Sequence, residues 1–116
     1  MRGRTSHQAW SGGLGVELKA LQERADALIR RFAEGYWAPL ANLARLTEEV
    51  GELARALNRA AGPKRLKAGE AEPDVALEMG DVLFTLAVLA NQMHIDLTSC
   101  ADAVLEKYER RDLGGP

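Results

Sequence analysis

Five acidic residues stand at spacings that can do chemistry: Glu48, Glu49 and Glu52 in one stretch, Glu78 and Asp81 in another. Acids three residues apart on a helix occupy adjacent turns, with Cβ atoms about 5 to 6 Å apart. Glu49 with Glu52 and Glu78 with Asp81 are two such pairs, and antiparallel neighbouring helices would set them face to face. Four carboxylates with no histidine or cysteine among them make a hard, oxygen-only site, which favours Mg2+ or Mn2+ over zinc or copper. Such a cluster calls for more than one divalent ion. Mg2+ usually keeps waters and bridges to substrate phosphates, so a phosphate ester or anhydride is the expected guest. A di-iron bundle is a poorer match, because it uses Glu-x-x-His pairs and neither His7 nor His94 follows a glutamate by three residues.

The elements that must position these acids are helices. Asp74, Glu78, Asp81, Thr85 and Gln92 fall along one narrow line of a 3.6-residue period over 74–92. Every other direction of that segment is apolar, from Val75 and Leu77 through Leu83, Phe84 and Leu86 to Met93, which predicts a helix buried on nearly all sides. A buried ionised carboxylate is costly unless paired or bound to a metal, so Glu78 and Asp81 need a cation. Before this segment, Leu18, Leu21, Ala25, Leu28 and Phe32 mark an amphipathic helix over about 16–32. Pro39 then suits the first turn of a second helix, which Gly62 and Pro63 stop. Its apolar stripe reads Leu40, Leu43, Leu46, Val50, Leu53, Ala54 and Leu57, with Glu49 at the edge of the arc. A fourth helix runs from an N-cap at Asp96 or Thr98 to about Arg111, with Ala101, Val104, Leu105 and Tyr108 on one side.

Four helices without strand-like alternation predict an all-α, four-helix bundle-like fold. The third helix is apolar on more sides than three short partners can cover, so the fold is expected to be completed by oligomerisation, as a homodimer or homotetramer. Residues 1–13 read as a flexible leader, 14–112 as the domain and 113–116 as a tail.

The acids sit in a context that resembles a known family. Leu46-Thr47-Glu48-Glu49-Val50-Gly51-Glu52-Leu53, followed by Glu78-Met79-Gly80-Asp81-Val82-Leu83, resembles the MazG-like nucleoside triphosphate pyrophosphohydrolases of the all-α NTP pyrophosphatase superfamily. The pattern is EExxE and then ExxD, and the likeness runs from about Phe32 to Arg111. It implies Mg2+-dependent hydrolysis of (deoxy)nucleoside triphosphates to the monophosphate and pyrophosphate, with Mn2+ as a possible substitute, in nucleotide-pool housekeeping. The positions matching the family's metal ligands are Glu49, Glu52, Glu78 and Asp81. Glu48, the extra acid, would orient or deprotonate the attacking water. Lys107 and Arg111 match basic positions near the phosphates, and Trp37 would stack on the base.

Ordinary readings stand beside these. A helical glutamate such as Glu48 is usually solvated or paired, cations near a helix C-terminus are favoured by its dipole, and Trp37 can be an interface anchor. His94 and Cys100 read as packing residues, and Gly51 and Gly80 suggest helices in close approach beside the acids. A non-catalytic helical interaction module is the alternative function, and phosphoribosyl-ATP pyrophosphohydrolase the alternative within enzymes. The net charge of −2 leaves no basic excess for general nucleic-acid binding. One cysteine in 116 residues permits no internal disulfide, which suits a reducing cytoplasm. The run Val82–Ala90 is too short to span a bilayer, so no membrane partner is expected. The basic run Lys64, Arg65 and Lys67 matches no motif.

Overall fold

A computed structural model of the chain describes residues 17–62, 69 and 72–114. The expected leader, Pro63, and the basic run Lys64, Arg65 and Lys67 lie outside the described residues. Four helices follow one another: α1 Leu18–Arg30, α2 Pro39–Ala61, α3 Val75–Gln92 and α4 Leu97–Gly114. No strand occurs among the described residues. Pro39 occupies the first turn of α2, and Gly62 is its C-cap, its N–H donating to the Asn58 carbonyl. Asp74 caps α3, its carboxylate accepting from the Leu77 N–H at 2.9 Å. Asp96 caps α4 by accepting from the Thr98 N–H and the Ser99 hydroxyl, and α4 continues one turn beyond Arg111, into the expected tail.

Helix α3 is the shared partner of the fold. It packs antiparallel along α2 and also against α1, while α4 docks on α1. The core cluster is small: Ala25 and Ile29 from α1 meet Ala87 and Val88 from α3, with Leu21, Tyr36, Phe84 and Leu97 around them. Ile29 replaces the expected Leu28 on this face, because the inward line from Ala25 advances by four residues rather than three; Leu28 and Phe32 are exposed.

A polar network fastens the joints between helices. The Gln22 side-chain amide on α1 donates to Asn91 Oδ1 at 3.0 Å and to the Ile95 carbonyl at 2.8 Å. Its oxygen accepts from the Leu97 N–H at 2.9 Å, so α1 satisfies an otherwise unpaired donor at the start of α4. Asn91 donates to the Gln22 carbonyl and to Tyr36 Oη, and Tyr36 donates to Asp26 Oδ1 at 2.6 Å. Gln92 accepts from Asn42 Nδ2 at 2.7 Å and donates to the Trp37 carbonyl, which ties the α1–α2 loop to the end of α3.

Several sequence expectations are corrected. Within one chain α3 is not buried on nearly all sides: only Thr85, Ala87, Val88 and Ala90 are buried, and Leu77 is 61% exposed. On α2 the inward line is Asn42, Leu46, Glu49, Leu53 and Ala56, whereas Leu40, Leu43, Val50 and Leu57 of the expected stripe are exposed. The two lines lie about 100° apart round the helix, so α2 carries two apolar directions and one chain covers one. Val104, Leu105 and Tyr108 on α4 are likewise uncovered. His94 and Cys100 are exposed rather than packed. His94 has φ 58° and ends α3, its N–H donating to the Asn91 carbonyl and the next N–H, of Ile95, to Ala90.

With 18 residues and a mean hydropathy of 1.3, α3 passes as a membrane span by length and composition, which the shorter run Val82–Ala90 does not. It carries two carboxylates and packs against both α1 and α2, which makes it the central helix of this fold.

Gln22 generates the first prediction. Gln22→Ala removes three side-chain hydrogen bonds at a half-buried joint and should destabilise the chain by about 2 kcal/mol in chemical denaturation. A loss below about 0.5 kcal/mol would show that the joint does not hold α4 in place.

Candidate functional site

The antiparallel packing of α2 on α3 turns two i,i+3 acid pairs toward one another. Glu49 lies in the middle of the inward line of α2, half-buried, and Glu78 is half-buried on the matching line of α3. Asp81, one turn further along, is exposed. One carboxylate oxygen from each of Glu49, Glu78 and Asp81 lies within 4.8 Å of the others. The acids are therefore convergent but not buried, which corrects the expectation of a sealed site. The polar line of α3 is the side turned to α2, and its next member, Thr85, is buried with its hydroxyl donating to the Asp81 carbonyl at 2.8 Å.

Glu52 lies outside the three-carboxylate cluster but close enough to act on it. It lines a cleft with Glu78, Asp74, Arg55 and Arg59 at the N-terminal end of α3. Partial desolvation, followed by the charges of Asp81, Glu52, Glu49 and Asp74, pushes the Glu78 carboxyl above its ordinary value. The neighbouring negative charges thus oppose the ionisation of Glu78, an effect that a bound cation would offset. Oxygen-only donors on two rigid helices fit a hard divalent ion.

Arg45 was not singled out by the sequence. Its Nε stands 3.7 Å from Glu49 Oε2, one helical turn away, and its guanidinium lies over the Trp37 ring at 5.6 Å. The i,i+4 opposite charge was the available signal. Trp37 is exposed on the α1–α2 loop, its indole N–H reaching Glu34 Oε1 at 3.4 Å.

The remaining expected residues are not drawn together by this chain. Glu48 is exposed and outside the cluster, since it points about 100° away from Glu49 round the helix. Lys107 and Arg111 flank Tyr108 on α4, at 4.9 and 5.5 Å from its ring, and pair with none of the acids among the described residues. Gly51 and Gly80 are not points of close approach: a Cβ at either would meet nothing within 4 Å. Each stands two residues, about 200°, from an inward acid and so faces outward.

Comparison with known proteins converges on one family. The MazG nucleotide pyrophosphohydrolase domain matches residues 38–113. YpjD of Bacillus subtilis (strain 168), itself uncharacterised, is 47% identical over 95 residues, covering 82% of this chain and 86% of that protein. The crystal structure of YPJD from Bacillus subtilis superposes with a TM-score of 0.73 at 45% identity, covering 83% of this chain and 98% of the other. That of the Bacillus-conserved MazG protein, a nucleotide pyrophosphohydrolase, gives 0.70 at 41% identity, covering 83% and 93%.

The raised pKa of Glu78 sets a signed prediction. Its folded-state pKa exceeds its unfolded one, so the penalty for ionising it is absent below the unfolded value and complete above the folded one. In chelator, Glu78→Gln should therefore raise Tm at pH 7, and the gain should vanish as pH falls to about 4. A gain that is constant with pH would show that the charge of Glu78 is not its source.

Proposed function

We propose a reaction for a chain that belongs to the MazG nucleotide pyrophosphohydrolase family: Mg2+-dependent hydrolysis of a (deoxy)nucleoside triphosphate between its α and β phosphates. Water adds, the bridging P–O bond breaks, and the monophosphate and pyrophosphate leave. The observation that carries this reading is the convergence of Glu49, Glu78 and Asp81 within 4.8 Å, with Glu52 adding its charge to the same site. A patch that met a basic protein would not need three carboxylate oxygens gathered to the size of an ion, which counts against the interaction-module reading. The family match favours a nucleoside triphosphate over phosphoribosyl-ATP as substrate.

Glu49, Glu52, Glu78 and Asp81 are the proposed ligands of Mg2+, with Mn2+ as a substitute. Bound there, the ion supplies Lewis-acid polarisation of phosphate oxygens and offsets their charge. The chain's own residues do the rest. Helices α2 and α3 hold the carboxylates in fixed relative positions, so little reorganisation is needed when the triphosphate arrives. Glu48, beside Glu49 and exposed to water, is the proposed group that orients or deprotonates the nucleophile. Trp37 offers an exposed ring for stacking.

The uncovered stripes support a homodimer or homotetramer. Leu40, Leu43, Val50 and Leu57 on α2 and Met79, Leu83, Leu86 and Met93 on α3 are all exposed, a larger apolar surface than single chains usually present to water. A second copy packed there would complete the helical bundle. It is also the proposed route by which Lys107 and Arg111 reach a phosphate, since their own α4 docks on α1 rather than beside the acids.

Glu49→Gln and Asp81→Asn test the assignment. Each should lower pyrophosphate release by at least about 100-fold, while circular dichroism stays helical and Tm holds or rises. Wild-type turnover in both variants would refute the site.

A further inference from the structure

We propose that the cavity between the α1–α2 loop and the first turns of α2 is a base subsite sized for a single ring, so that the substrate is a pyrimidine nucleoside triphosphate and Asn42 is a specificity-determining residue. The proposal rests on the triphosphate reading above and adds the class of base. The cavity measures about 140 Å3, with Ile29, Phe32, Tyr36 and Val88 as apolar walls and Asn42, Arg45 and Trp37 among its other lining residues. An apolar cavity of about 150 Å3 accepts benzene. One six-membered ring therefore fits, and the second ring of a purine is left outside.

The polarity of the subsite follows from a chain of amides. The Trp37 carbonyl can only accept, so Gln92 turns Nε2 toward it and presents Oε1 to Asn42. Asn42 therefore donates through Nδ2, at 2.7 Å, and its Oδ1 is left with no hydrogen-bond partner among the described residues. Asn42 is only 3% exposed and lines the cavity, so this acceptor has little access to bulk water. A buried acceptor without a donor is destabilising, and a ring N–H or amino group would satisfy it. Cytosine offers the exocyclic amine and uracil the N3–H.

Arg45 joins this cavity to the acids. It lines the cavity, and its Nε is 3.7 Å from Glu49 Oε2. Residues 45 and 49 are four apart, so the cavity wall at Arg45 and the acid at Glu49 lie on neighbouring turns of one face of α2. The planar guanidinium over the Trp37 ring marks a face on which a planar base would stack in its place.

Trp37 fluorescence reads the subsite directly, in a Trp10→Phe background. The probes are the α,β-methylene analogues of CTP, UTP, ATP and GTP with Mg2+, which cannot be cleaved between the α and β phosphates. The pyrimidine analogues should quench saturably and bind at least about tenfold more tightly than the purine analogues. Asn42→Ala should erase that preference by weakening the pyrimidine analogues. Should that variant not fold, Val88→Leu, which fills the cavity and keeps Asn42, should weaken them about tenfold with the helical spectrum retained. Equal binding of purines and pyrimidines, no quenching by any analogue, or unchanged pyrimidine affinity in Val88→Leu would overturn the proposal. Failure of the underlying reaction reads differently: wild-type protein would release no pyrophosphate from any triphosphate while the analogues still quenched selectively.

Discussion

Like-charge repulsion between facing helices is the constraint from which the rest of this structure follows. Glu49 and Glu52 on α2 confront Glu78 and Asp81 on α3, and partial desolvation together with these neighbouring charges disfavours ionisation of Glu78. That opposition works against the pairing of the two helices. The fastening lies along the rest of the inward lines. Asn42 bonds to Gln92 at one end, and Leu46, Leu53 and Ala56 lie on the inward line of α2. The repulsion is confined to a short stretch beyond the Asn42–Gln92 joint.

Much of this was legible in the chain because it is local. Pro39 and Gly62 mark helix ends by mechanisms that act within four residues, and the structure uses both as expected. The acid pairs were legible for the same reason, being set by spacing alone. Which of two apolar directions a helix turns inward is a tertiary matter, and there the sequence was ambiguous. On α2 the line through Leu40, Leu43 and Val50 is the more apolar, yet the line containing Asn42 and Glu49 faces α3. Periodicity ranks stripes by hydrophobicity and cannot know that the inner one carries the polar groups of a site.

The same limit explains what was missed around the acids. Asn42 reads as an ordinary polar interruption until Gln92, fifty residues later, is placed beside it. Arg45 reads as a surface charge until Trp37 folds back under it. Lys107 and Arg111 show the converse, since their resemblance to phosphate-side residues is a matter of sequence and one chain does not carry them to the acids. The apolar positions of α2 and α3 that face away from the core are exposed in one chain, and Gly51 and Gly80 stand in open space.

On the proposed reading, a divalent cation would offset the repulsion at the α2–α3 seam. Calorimetric titration of the metal-free protein with Mn2+ at pH 7, without nucleotide, tests it most directly. The account predicts a saturable heat of integral stoichiometry per chain that is lost when Glu78 and Asp81 are both made amides. Heat that never saturates, or a saturable signal that survives that double substitution, would contradict it.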